Sequence, residues 1–460
     1  MLLHAARLRA GQPLYAPPSL AFTSFAYPPL HPAVLAALSL VAGLEYASGR
    51  ALSIAGYALA LGCAYAFLRE AGAPRALAMG GLALSAAAFA PTGAWYDLVR
   101  IDSLWLGLLA AGLLAAWHAR RSAGAAVLAG VLLTAALFTK QTAAPFLAVA
   151  VLALVASSRR RALLLAAVVG TMAVTAAVVL QLATRGWFWT YTFGLHQRHD
   201  FDLWLGFVLA PLRVLLLLGP AVALAPLALA LRSPASDAAL RAAIAAFAAA
   251  MGATILGAGP PWGYANTFVP ALFFGGVLLA LAAARARDRH PALAPALLAL
   301  SVAGAPGGLV WAADRLWPAA GLALPVGYDP RAFVPTAADR RQGDLLIARL
   351  RAASGPVFVP FHPFYARRAG KTPSLHAMNL ADVNAIPGLG TPRDLVEAIS
   401  SRAFALVVLD VEGEGEAAEG EAMGQFPRLA GHYQVAERID GPRMFSGAPV
   451  RPRLVLVPRP

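Results

Sequence analysis

Acidic residues are scarce over most of this chain. Nine of its 23 Asp and Glu residues precede residue 318, and the remaining fourteen follow it, in a total of 460. Charged residues of both signs make up only 13% of the sequence, and the hydrophobic set makes up 59%. That balance excludes a soluble globular protein and describes a polytopic α-helical membrane protein. Cysteine is almost absent. Cys63 stands alone, so an internal disulfide is excluded, and its apolar surroundings place it in a lipid or helix contact. The amphipathic, proline-rich stretch from Met1 to Pro29 is not expected to be a signal peptide, and no spanning segment is expected before it in this sequence.

The net charge of +14 does not imply a nucleic-acid partner. The arginines cluster in short loops between apolar runs, where they set orientation in a membrane. Proline at Tyr27-Pro28-Pro29-Leu30-His31-Pro32 argues against a straight span there. Residues 33–47 are apolar but short, as expected of an interfacial helix. About ten spans follow, at roughly 51–69, 75–93, 102–118, 123–139, 142–157, 162–183, 205–231, 239–258, 265–284 and 291–312. With this count, the loops Arg69 to Arg75, His118 to Arg121, Arg159 to Arg161, Arg232 to Arg241 and Arg285 to His290 all fall on one side. The positive-inside rule makes that side cytoplasmic. Residues 1–50, 94–101, 184–204, 259–264 and the C-terminal part then lie outside.

The shift in acid content divides the chain into three parts. These are an outer loop with an interfacial helix (1–50), a transmembrane helical domain (51–317) and an extracytoplasmic α/β domain (318–460). In the last, 340–353 and 392–402 read as helices. Val357 to Pro360, Phe404 to Asp410, Tyr433 to Ile439 and Arg453 to Val457 read as strands. The acidic, glycine-rich run Glu412 to Glu421 is expected to be a mobile loop. Polar loops at His362 to Tyr365 and Thr372 to His376 follow the first strand, where such a loop is either structural or carries a site.

The polar residues of the membrane domain concentrate at the outer side. Trp95-Tyr96-Asp97-Leu98-Val99-Arg100-Ile101-Asp102-Ser103-Leu104 sets three charges between two apolar runs, which is costly unless they face water or a ligand. An acid, an arginine and an acid at this spacing suit a site that handles a phosphate and a hydroxyl together. A plain solvated loop is the competing explanation. Lys140, in Phe138-Thr139-Lys140-Gln141-Thr142, is either a helix-end anchor or an anion ligand. The loop 184–204 carries Trp187 and Trp189, which suit an interfacial belt. His196, His199 and Asp200 have a spacing that a metal could use, without a distant further ligand. No cofactor is expected; a divalent metal is possible but not favoured. Gly259 to Tyr264 reads as a tight outer turn that could border a cleft.

Several short motifs resemble the GT-C superfamily of membrane glycosyltransferases, in particular bacterial relatives of the aminoarabinose transferases and protein O-mannosyltransferases. They are His4-Ala5-Ala6-Arg7 with Gly11-Gln12-Pro13-Leu14-Tyr15, Tyr27-Pro28-Pro29-Leu30, the segment Tyr96 to Leu104, and Leu137-Phe138-Thr139-Lys140-Gln141. The resemblance implies an integral protein of the bacterial inner membrane. It also implies transfer of a sugar from a polyprenyl-phosphate carrier to a lipid, glycan or protein acceptor outside, with inversion. Asp102 and Asp97 are then the candidate catalytic acids. Arg100, Lys140, Gln141, Tyr27, His31, His196 and His199 are the candidate substrate ligands. Members of this superfamily usually begin with a further span and a first-loop acid that serves as base. This chain opens at Met1-Leu2-Leu3-His4, just after that point, so either a start codon placed too late or a degenerate, inactive member is expected, the former favoured because the other polar features are intact. A transporter would show internal repeats, and none is found. A non-catalytic membrane scaffold would leave Asp102, Arg100 and Lys140 apart.

Overall fold

The computed structural model describes residues 1–231, 237–260, 263–304, 312, 315–316, 333–412, 415–443 and 451–460. A short α1 (Leu2–Arg9) is followed by α2 (Leu30–Ala42), and Arg9 ties the two by donating to the Ser39 carbonyl at 3.3 Å. The apolar segments form α3 (Tyr46–Glu70), α4 (Arg75–Ala87), α5 (Asp102–His118), α6 (Ala123–Leu137), α7 (Ala144–Val155) and α8 (Arg159–Ala183). Then come α9 (Leu205–Leu231), α10 (Ala238–Ala258), α11 (Ala265–Ala286) and α12 (Leu293–Gly304). Among the described residues, α3, α8, α9, α10 and α11 are long and apolar enough to cross a membrane by themselves.

Chain punctuation explains the shorter helices. The span expected at 75–93 ends at Ala87, because Gly93 and Ala94 adopt positive φ (70° and 61°) and turn the chain. A proline just inside α7 sits where its missing N–H costs nothing, and Pro270 occupies the same position where the opening 3-10 turn of α11 passes into α-helix at Val269. The bundle packs backbone to backbone at small residues. A Cβ on Gly107 of α5 would collide with the Gly56 carbonyl of α3, and one on Gly276 of α11 would strike the Gly81 carbonyl of α4. Such close approach is how helices associate where lipid offers no hydrophobic drive.

The basic loops meet one another at one end of this bundle. His118 Nε2 lies 2.8 Å from Glu70, Arg161 donates to the Ala119 carbonyl at 3.0 Å, and Arg285 reaches both Asp237 (2.5 Å) and the Ala71 carbonyl (3.0 Å). Of the expected stretch Arg232 to Arg241, residues 232–236 lie outside the described residues.

The C-terminal part folds around a four-stranded sheet in the order β1-β2-β4-β3, with β1 (Val357–Phe358), β2 (Leu406–Val411), β3 (Tyr433–Arg438) and β4 (Arg451–Pro458). β1 and β2 are parallel; β4 is antiparallel to both of its neighbours. The helices are α13 (Ala337–Ala352), α14 (Phe364–Arg368), α15 (Ala377–Asn384), α16 (Arg393–Ser400), α17 (Glu416–Gly424) and α18 (Leu429–His432). β2 is buried along its whole length, so both faces of the sheet are covered. The acidic run expected as a mobile loop instead carries α17. Ala422 buries against the sheet's core, and Glu419 forms a two-pronged ion pair with Arg438 at 2.6 and 2.9 Å. The expected boundary at Trp317 lies outside the described residues.

This sheet unit grips the N-terminal loop. Leu375 N–H donates to the Leu20 carbonyl (2.8 Å), Leu20 N–H donates to Asp394, and Asn379 donates to the Thr23 carbonyl (2.8 Å). The result places residues 1–29 between the sheet unit and the helical bundle.

Candidate functional site

α5 begins with Asp102, and α6 ends just before Lys140, so both side chains sit at helix termini on the same end of the bundle. Lys140 Nζ lies 2.8 Å from Asp102 Oδ1, with the two side chains only 10% and 4% exposed. Asn266, in the first turn of α11, donates to the same oxygen at 3.0 Å. Asp102 Oδ1 is therefore saturated, while Oδ2 is buried and accepts nothing. The ammonium of Lys140 also stands 5.4 Å from the centroid of Trp105, one turn along α5. The separation of Asp102 from Lys140 expected of a scaffold is not observed.

Arg100 lies beside this group. Its guanidinium stacks 4.5 Å from the Trp95 ring centroid, and its Nε is buried without a hydrogen-bond partner. Lys140, Asp102 and Arg100 are all within electrostatic reach of one another. Asp97 goes elsewhere: it is ion-paired with Arg50 of α3, half-buried, and no contact joins it to Asp102.

Gln141 is a strut. Its amide donates to the Ala26 carbonyl at 2.9 Å and to the Thr192 carbonyl at 2.6 Å, tying the N-terminal loop to the segment after α8. Tyr27 receives the Tyr15 hydroxyl on its backbone carbonyl (2.7 Å), and its ring stands 6.2 Å from that of His196. Its hydroxyl is within electrostatic reach of Lys140. His196 Nε2 lies 2.9 Å from the Ala26 carbonyl, and burial pushes its imidazole below the usual range. His199 faces Asp382 of α15 at 3.8 Å, not Asp200. Burial pushes the Asp382 carboxyl up to about 6, opposed by His199 and Arg100. Among the described residues no group of three or more His, Cys, Asp or Glu side chains is placed to hold a metal ion. The turn expected at Gly259 to Tyr264 includes residues 261–262, which lie outside the described residues.

His31, at the start of α2, is fully buried beside the Arg100 backbone, and neither ring nitrogen makes a hydrogen bond of good geometry. Four more residues enter here that the sequence did not single out as ligands. Asn266 is one. His4 of α1 is buried with both nitrogens unpartnered, edge-on to Phe25 (4.2 Å between ring centroids) and Phe22 (5.0 Å). His376, which caps α15 by accepting from Met378 N–H (3.1 Å), is within electrostatic reach of His4 and Arg100. Asp410, at the carboxyl end of β2 beside a bulge, holds His362 at 2.6 Å. His4 and Asn266 carried one legible signal, a polar residue inside or beside an apolar run; His376 had none beyond its loop, and Asp410 none beyond standing at the end of an apolar strand.

No family model and no curated protein matches the chain. Two solved structures share its fold. ArnT from Cupriavidus metallidurans bound to undecaprenyl phosphate is 15% identical, covers 98% of this chain and 91% of its own, and superposes with a TM-score of 0.59. The same ArnT in the apo state is 16% identical over the same spans, again at a TM-score of 0.59. The chain thus has the GT-C fold of membrane glycosyltransferases, at an identity that speaks for the fold alone.

Proposed function

We propose that this protein is an integral glycosyltransferase of the bacterial inner membrane that takes a sugar from a polyprenyl-phosphate carrier and passes it to an acceptor on the outer face. The observation that carries this reading is the buried Lys140–Asp102–Asn266 group with Arg100 beside it, at the end of the bundle away from the basic loops. The GT-C fold supports it, and ArnT was crystallised with undecaprenyl phosphate. By the positive-inside rule the basic loops are cytoplasmic, which puts the site and the sheet domain outside.

In this reaction the acceptor hydroxyl attacks the anomeric carbon as the bond from that carbon to the phosphate oxygen breaks. The phosphate leaves with the bonding electron pair, and Arg100 and Lys140 stabilise its charge in a site of low dielectric. Asp102 Oδ2, the open acceptor, takes the hydroxyl proton, while Oδ1 stays fixed by Lys140 and Asn266. A single displacement inverts the configuration. Asp97, paired with Arg50, holds the loop against α3 and takes no part.

The test is release of free polyprenyl phosphate from a glycosylated carrier by the purified protein in nanodiscs. Wild type is expected to turn over, and Asp102→Asn to lose roughly a thousandfold, the scale of removing a group that acts in the transition state. A wild-type protein that neither binds polyprenyl phosphate nor releases it from a loaded carrier would refute the proposal.

A further inference from the structure

Burying a polar atom without a hydrogen bond is costly, and such atoms are few in a folded protein. Of the twelve found among the described residues, seven belong to one group: both ring nitrogens of His4 and of His31, Trp95 Nε1, Arg100 Nε and Asp102 Oδ2. Concentration at one place is the sign of a ligand that supplies the missing partners. The group sits where α1, α2, the Trp95 to Asp102 turn and the sheet domain come together. His376 adds a face from the sheet domain. Its Nδ1 accepts from Met378 N–H, so in the neutral ring the proton is on Nε2.

We infer that His4, His31 and His376 form the subsite for the transferred sugar, and that this sugar is uncharged. The inference rests on the glycosyltransferase reading above and extends it to the donor's class. Burial holds His4 well below the usual imidazole range and His376 at about 3, so both rings are neutral at neutral pH. A neutral imidazole offers one donor and one acceptor. Sugar hydroxyls, which both donate and accept, satisfy that combination. A phosphate, which only accepts, leaves the acceptor nitrogens unmet. Among the described residues the carboxylates near this group are already engaged, Asp102 by Lys140 and Asn266 and Asp382 by His199. With Asp102 Oδ2 reserved for the acceptor hydroxyl, a free amino group on the sugar would find no carboxylate to pair with and would stand near the Arg7 and Arg100 guanidinium groups. The sugar of an uncharged hexose class suits this field; an amino sugar does not. A uronic acid would place its carboxylate against the acceptor nitrogens of His4 and His31.

Equilibrium binding to the full-length protein in nanodiscs tests this with four probes. These are polyprenyl monophosphate alone, and the same carrier bearing an uncharged hexose, a hexosamine with a free amine, or a hexuronic acid. The hexose is expected to tighten binding at least tenfold over the bare carrier, and the two charged sugars less. His376→Asn keeps an oxygen to cap α15 and removes the ring N–H; His4→Gln is the second variant. Each is expected to cut the hexose increment about tenfold, as for loss of one or two hydrogen bonds, and to leave binding of the bare carrier unchanged. A tighter hexosamine or hexuronic acid, or variants that weaken the bare carrier equally, would overturn the subsite. Carrier binding with no sugar increment would overturn the subsite alone, whereas a wild type that ignores the bare carrier would bring down the glycosyltransferase reading as well.

Discussion

Two aspartates, one at each end of the bundle, meet a cation in opposite ways. Asp237 uses all of its capacity. Oδ1 accepts from the Ala239 and Leu240 N–H groups at the start of α10 (3.1 and 3.0 Å), and Oδ2 pairs with Arg285 at 2.5 Å. Asp102 concentrates both of its bonds, from Lys140 and Asn266, on one oxygen and leaves the other buried and empty. The first arrangement is a helix cap reinforced by an ion pair, complete within the protein. The second carries an unmet acceptor whose desolvation costs about 1–3 kcal/mol, which only something outside the chain can repay. Both ends are charged and both are packed; the difference between structure and site lies in what each carboxylate leaves undone.

The largest effect that could break this contrast comes from Lys140→Met. Removing the ammonium strands the Asp102 carboxylate inside the bundle, at a cost of about 3–5 kcal/mol. Adding Asp102→Leu is expected to recover most of that stability, since a buried pair is replaceable by apolar side chains of similar volume. Activity should stay at least a thousandfold down in both variants. Thermal unfolding in nanodiscs and carrier-phosphate release measure the two quantities separately. A double variant that regained activity would reduce the Lys140–Asp102 pair to the same standing as Asp237–Arg285.

A smaller effect is expected from Asp237→Ala. It removes the α10 cap and leaves Arg285 without its carboxylate, lowering stability by about 1–2 kcal/mol. Turnover per folded molecule should not change. A fall in kcat comparable to that of Lys140→Met would erase the distinction between the two ends.

The spans were legible because a membrane demands long apolar runs and tolerates few charges between them. Positions such as 162–183 and 239–258 admit little else. The same logic made the meeting of Asp102 with Lys140 foreseeable in part: alternation of basic loops put both at one side, though nothing in a separation of 38 residues could place Nζ 2.8 Å from Oδ1. Asn266 was hidden by distance, since its partner lies 164 residues away. Asp97 was misleading because its spacing to Asp102 looked like a pair, whereas Arg50, on the neighbouring helix, claims it. His376 and Asp382 come to the site only through the docking of the sheet domain on residues 16–26, which no local pattern encodes. The α17 helix was missed for a different reason: its glycine and acid content hides one buried anchor, Ala422, and a cross-element pair to Arg438.

The smallest expected effect concerns the seam between the two domains. Burial raises the Asp382 carboxyl from its ordinary 3.8 to about 6. The folded chain therefore binds this proton more tightly than the unfolded chain does. Linkage makes the stabilisation complete below pH 3.8 and removes it as pH climbs from there through about 6. Asp382→Asn carries no such proton. Wild-type Tm should thus fall relative to the variant between about pH 4 and 6 and run parallel to it above. The side chain keeps 29% of its surface exposed, so screening by solvent holds the amplitude to a small part of the total. A gap between the two curves that stays constant across that interval would mean that the seam leaves Asp382 solvated, and that the sheet domain rests on the bundle more loosely than His199 at 3.8 Å implies.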